Sequence, residues 1–227
     1  MNPRHARVLL VAFGVAAAVD LVSLVAGFTP GHLVAKPLLM PLLALFVVAG
    51  GGPRLLVAAL LFGWGGDTLL LSDADPAFLA GMASFAAGHV CYLVLFRRTA
   101  RGTARARAPW FVVGAYGVAV VATVALLWPG LPAGLRVPVA GYSLLLTAMA
   151  YGATRLGPGG LGGALFMVSD TLIATGVADW PQLPRPDFWI MLTYTAAQYL
   201  LVRGVLGALG ARPAPAAAYG EMRSTTP

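Results

Sequence analysis

The sequence predicts an all-α fold: a polytopic membrane protein built as a bundle of eight transmembrane helices. Three observations predict it. Of 227 residues, 59% are hydrophobic and only 10% are charged, where a soluble domain carries about 25% charged residues. The mean hydropathy is +0.82, so there is too little polar surface to coat a water-soluble globule of this size. Basic residues also sort to alternate breaks between apolar runs. This composition excludes a disordered chain and an ordinary cytosolic enzyme. A single cysteine, Cys91, excludes a disulfide framework.

A spanning helix takes about 20 residues, and eight apolar runs can be counted in order. The first, residues 8–28, follows Arg4 and Arg7 and stops at Thr29-Pro30-Gly31. It has the outline of a secretion signal but continues past Asp20, longer than the usual apolar core of one. The second, 33–49, ends at Gly50-Gly51-Gly52-Pro53. The third is 55–71, and the fourth, 78–96, runs into a cluster of arginines. The fifth, 110–128, stops at Trp128-Pro129-Gly130; the sixth, 137–154, is closed by Gly157-Pro158-Gly159. The seventh is 161–178 and the eighth 188–206. Proline removes a donor and glycine allows positive φ, so these breaks end helices. In lipid each span must satisfy its own backbone, which makes the runs helices rather than strands. The expected organisation is a cytoplasmic N-terminus over residues 1–7, a transmembrane domain over 8–208, and a disordered cytoplasmic tail, rich in Ala and Pro, over 209–227.

One set of alternate breaks and ends holds Arg4, Arg7, Arg54, Arg97, Arg98, Arg101, Arg105, Arg107, Arg155, Arg203, Arg212 and Arg223; the other holds Arg136 and Arg185. The positive-inside rule places the first set, and with it both N and C termini, in the cytoplasm. Both termini on one side requires an even number of spans, in agreement with eight. The net charge of +7 therefore reads as orientation, and no nucleic acid partner is expected; the bilayer is the partner. High Ala, Gly and Arg usage suggests a bacterial cytoplasmic membrane. His5 and His32 lie near chain or helix ends and only His89 lies deep in a run, so neither a metal site nor a cofactor is expected.

An ionisable group inside a span is costly and marks a functional hypothesis. Asp20, Lys36, Asp67 and Asp170 qualify, with His89 a weaker fifth. At about 1.5 Å per residue the four charges fall in the outer half of the bilayer. Tyr194 and Gln198 of the eighth run fall from the outer half to the middle, and His89 and Tyr92 lie deeper. Charges at related depth predict one polar pocket open to the non-cytoplasmic side. The plainer alternative is a buried ion pair joining helices, for instance Lys36 with Asp20. It leaves carboxyls over, and a surplus carboxyl in low dielectric tends to hold a proton, so Asp67 and Asp170 are candidate acids. Asp67-Thr68-Leu69 and Asp170-Thr171-Leu172 repeat a tripeptide four helices apart, as a 4+4 internal repeat would. Gly63, Gly65 and Gly66 precede the first Asp, and Gly162 and Gly163 the second, which suits close helix packing.

At these residues the sequence resembles the YhhN-type lysoplasmalogenase family of integral membrane proteins. The matching stretches are Lys36-Pro37-Leu38, Gly66-Asp67 with Leu69-Leu70-Leu71, Phe85-x-x-Gly88-His89-x-x-Tyr92, Phe166-x-x-Ser169-Asp170 and Gln198-Tyr199-Leu200. The resemblance runs from about residue 10 to 205. It implies an eight-helix hydrolase that cleaves the vinyl ether bond of a lysophospholipid substrate, giving a fatty aldehyde and a glycerophospho-headgroup. Such hydrolysis needs one carboxyl to donate a proton and another to stabilise the cation and take a proton from water, a division of labour shared with glycosidase pairs. Asp67 and Asp170 are the expected pair. Lys36 would pair with Asp20, tune a carboxyl or meet the lipid phosphate; His89, Tyr92, Tyr194 and Gln198 would position water and hydroxyls, or equally bond helix to helix. No Gly-x-Ser-x-Gly elbow, Walker loop or dinucleotide loop occurs, and Ser84 and Ser169 show no triad logic. The same buried Asp residues would also suit a proton-coupled transporter or lipid-binding protein, or a subunit whose charges merely lock helices together.

Overall fold

The computed structural model describes residues 3–72, 74–100 and 109–210. They form eight helices: α1 (Pro3–Ala26), α2 (Thr29–Ala49), α3 (Arg54–Leu69), α4 (Asp75–Ala100), α5 (Trp110–Leu127), α6 (Ala133–Ala153), α7 (Pro158–Val177) and α8 (Pro186–Gly210). Among the described residues there is no strand. Six of the helices, α1, α2 and α4 to α7, are long and apolar enough to cross a membrane. The protein is a multi-pass membrane protein. α3 is short, at 16 residues, and α8 carries Gln198 and Arg203 along its length.

The helices follow the apolar runs and overrun several of them. α1 begins at Pro3, so most of the segment expected to precede the membrane continues the first helix. α4 extends past both ends of its run, and α2 starts at Thr29, with Pro30 in the first turn where no N–H is needed. Pro53, Pro109 and Pro132 directly precede α3, α5 and α6. Gly27 at φ +70° and Gly157 at φ +60° make the tight reversals after α1 and before α7, a conformation in which a side chain is strained. The tail expected to be disordered and the basic residues Arg101, Arg105 and Arg107 lie outside the described residues, save the tail's first two positions, 209–210, which close α8.

The helices pack as α1 on α2, α3 on α4 and α7 on α8, linked through α2–α3, α4–α6 and α6–α7, with α8 also reaching α1, α2 and α4. Leu39, Met40 and Leu43 of α2, Leu60 of α3, Met149 of α6 and Leu201 of α8 fill the centre. Lipid tails are as apolar as leucine, so close approach rather than the hydrophobic effect must hold such a bundle. Gly162 and Gly163 supply it. A Cβ on Gly162 would stand 2.9 Å from the Ala197 carbonyl oxygen of α8, and one on Gly163 2.7 Å from the Ala150 Cα of α6. α7 is thus wedged between two backbones. By contrast Val8, Val11, Val15, Val19, Val22 and Val25 recur at helical spacing on an exposed face of α1, and only Val120 and Leu127 of α5 are buried. These faces are the ones suited to lipid.

Candidate active site

Asp67 lies two residues before the end of α3 and is 3% exposed. Tyr194 of α8 donates its O–H to Asp67 Oδ2 at 2.8 Å. One turn along α8, Gln198 donates through Nε2 to the Tyr194 oxygen at 3.2 Å, and its Oε1 accepts from Tyr92 of α4 at 2.6 Å. Gly63 makes room: a Cβ there would lie 3.0 Å from the Tyr194 oxygen and 3.1 Å from Gln198 Nε2. Four of the sequence candidates, Asp67, Tyr92, Tyr194 and Gln198, therefore form one chain of hydrogen bonds across three helices.

Asp170 of α7 belongs to a second chain. Tyr142 of α6 donates its O–H to Asp170 Oδ2, and His89 Nε2 of α4 lies 3.0 Å from the same phenol oxygen. With the phenol proton engaged by Asp170, His89 Nε2 is the donor. Nδ1 is left as an acceptor, and it is buried with no partner among the described residues. The two Asp-Thr-Leu stretches do not make equivalent bonds, since Asp67 turns to α8 and Asp170 to α6.

Phe85 and Phe166 stand between the two chains. Phe166 meets Tyr194 with centroids 5.4 Å apart and His89 at 4.8 Å, both edge to face; Phe85 meets Tyr194 at 5.8 Å. Asp170 and Tyr142 line a cavity between α4, α5, α6 and α7 whose other walls are mostly apolar, among them Phe78, Met82, Leu146 and Val177. Asp170 is the only one of the eight candidates on that wall. An open groove between α5 and α7 shares Thr123, Met167 and Thr171 with the cavity.

The ion pair considered for Lys36 and Asp20 is not formed. Asp20, fully buried, accepts from His32 Nδ1 at 2.7 Å, while its Oδ2 has no partner among the described residues. His32 is one turn before Lys36 on α2, and it is the nearer base. Lys36 makes no hydrogen bond or ion pair among the described residues. Ser84 and Ser169 bond the carbonyls of Phe62 and Ile190, joining helices. Sequence reasoning missed Tyr142 and His32. Tyr142 is one of seven tyrosines and sits in an uncharged run, so nothing marked it. His32 was legible as the titratable group one turn from Lys36. Among the described residues no three His, Cys, Asp or Glu side chains are grouped as metal ligands.

Residues 31–205 match the YhhN family. Human lysoplasmalogenase TMEM86B is 33% identical over 159 residues, covering 70% of this chain and 66% of that protein. The pig protein of the same name is 36% identical over 169 residues, covering 71% and 70%. A lysoplasmalogenase of Mycobacterium bovis is 31% identical over 192 residues, covering 77% and 71%. No solved structure matches.

Proposed function

The chain belongs to the YhhN family, and we propose that it is a lysoplasmalogenase that hydrolyses the vinyl ether bond within the bundle, at Asp67 and Asp170. The relatives named lysoplasmalogenase support the activity. The observation that carries the mechanism is the placement of Asp170 on the wall of an otherwise apolar cavity while Asp67 is buried behind Phe85 and Phe166. The alkenyl chain lies in the cavity. Asp170, beside the chain, gives its proton to the β-carbon of the vinyl ether, leaving an oxocarbenium at the α-carbon. The negative charge of Asp67, on the headgroup side, stabilises that cation. Water adds its oxygen to the α-carbon and releases a proton to a carboxylate. The hemiacetal then collapses: the carbon–oxygen bond to glycerol breaks, the glyceryl oxygen leaves protonated, and the chain departs as an aldehyde. Tyr142 and Tyr194 each hold one carboxyl in place. All eight helices cross the membrane in this reading, with both termini cytoplasmic, as the division of arginines supports.

The purified protein is to be given a lysoplasmalogen and, separately, a 1-acyl lysophospholipid. Aldehyde is expected from the first alone. Folded protein that releases none with either an ethanolamine or a choline headgroup overturns the activity. Asp67→Asn and Asp170→Asn keep size and remove the acid, and each is expected to lower kcat at least about a hundredfold. Full turnover by both overturns the mechanism while leaving the activity standing.

A further inference from the structure

A second cavity opens where α1 ends and α2 and α8 begin, at the end of the bundle opposite the start of α1 and the end of α8. Its wall includes Ser23, His32, Arg185 and Asp187. Two helices start there. α2 has no side-chain cap on its N-terminus, and the first turn of α8 holds Asp187. Helix N-termini carry partial positive charge and free N–H groups. The Arg185 guanidinium lies against α1, its Nη1 being 3.6 Å from where a Cβ on Gly27 would stand. Arg185 and Asp187 are two residues apart yet form no ion pair with each other. Neither side chain has a hydrogen-bond partner among the described residues. His32 is held at Nδ1 by the buried Asp20, which leaves Nε2 without a bonded partner among the described residues. The wall therefore presents an unpaired cation and an unpaired anion side by side, backed by a braced histidine and two helix starts.

We propose that this cavity binds the headgroup of a zwitterionic phosphodiester lipid, Arg185 and His32 taking the phosphate and Asp187 the ammonium. The proposal rests on the lysophospholipid reading above and adds where the polar half of that lipid sits. Asp187 precedes Tyr194, the partner of Asp67, by seven residues, about 10 Å along α8. A glycerophosphate contacted at both ends spans that scale. Along α8 the headgroup cavity is thus related to Asp67 through Tyr194, while the chain cavity is lined by Asp170.

Three substrates with one alkenyl chain test it: the glycerophosphoethanolamine, the glycerophosphate and the bare glycerol. The wild type is expected to prefer them in that order by kcat/KM. Arg185→Gln should shrink the advantage of the phosphate-bearing substrates over the bare glycerol at least tenfold, through KM, and Arg185→Lys should restore part of it. Asp187→Asn should erase only the advantage of the amine. Binding of a non-hydrolysable 1-alkyl glycerophosphoethanolamine, followed by thermal shift in detergent, reads the site without turnover. Loss of that shift in Arg185→Gln supports the site even if the wild type cleaves nothing, in which case the hydrolase reading alone falls. The proposal is overturned if the wild type cleaves and both variants keep its substrate preferences. It is equally overturned if inorganic phosphate shifts the wild type through Arg185 while the lipids do not, since the site would then take free phosphate.

Discussion

Asp67 and Asp170 are each held by a phenol from another helix, and the two phenols differ in what stands behind them. Tyr194 is backed by Gln198 and Tyr92, whereas Tyr142 is backed by His89, whose second nitrogen is buried and unpartnered. Removing the Tyr142 hydroxyl frees Asp170 and strips His89 of its described partner. Tyr142→Phe is therefore expected to lower kcat about tenfold, the equivalent of one hydrogen bond of roughly 1.4 kcal/mol. Its cost to thermal stability in detergent should be smaller, about 0.6 kcal/mol. Equal effects of Tyr142→Phe and Tyr194→Phe on stability, with kcat untouched, would make both phenols struts. At this scale the sequence was readable where charge is costly: Asp20, Asp67 and Asp170 stand out as charges inside otherwise uncharged apolar runs. It was unreadable where the informative group is an amphipathic side chain. Tyr142 costs little to bury and looks like Tyr116 or Tyr151 until a carboxyl from another helix meets it.

Among the helices, α7 carries the tightest constraint. Its glycines place it in backbone contact with α6 and α8, and Asp170 and Phe166 ride on the same helix. Gly163→Leu is expected to destabilise the protein by about 1–3 kcal/mol through overpacking and to lower activity with it, because the helix can yield only by moving Asp170. Gly207→Ala, where no atom stands within 4 Å of the new Cβ, should leave the thermal midpoint unchanged or slightly raised. Equal midpoints for the two variants would contradict the wedge. The helices themselves were legible because proline and glycine punctuate them. Their ends were less so: α1 reaches Pro3 and α4 reaches Ala100 because arginines and alanines continue a helix that hydropathy alone cuts short. Which helix touches which was not legible, since every face of a membrane helix is apolar and pairing depends on where small residues allow approach.

For the molecule as a whole, alternating breaks carry unequal basic charge, and this predicts its sidedness. Reporter fusions after Arg54 and after Arg155 should report the cytoplasm, and one at Arg136 the opposite side; any other pattern removes the eight-span topology. By the same rule the proposed headgroup cavity, on the side of Arg185, would face away from the cytoplasm. That the four charges lie inside helices was readable from the apolar runs. Their grouping was not. One pocket was expected, whereas Asp20 pairs with His32 at one end and Asp67 and Asp170 join separate chains of bonds.

The groove between α5 and α7 that shares Thr123, Met167 and Thr171 with the chain cavity leads towards the face of the bundle least covered by other helices. In the proposed reading a hydrophobic substrate would enter through this groove from the acyl region of the bilayer. The quantity that sets occupancy is then the mole fraction of substrate among the surrounding lipids. Turnover should obey surface-dilution kinetics: adding inert lipid or detergent at constant total substrate lowers the rate, and adding buffer does not. A Michaelis constant quoted in molar units would then have no fixed value for this protein.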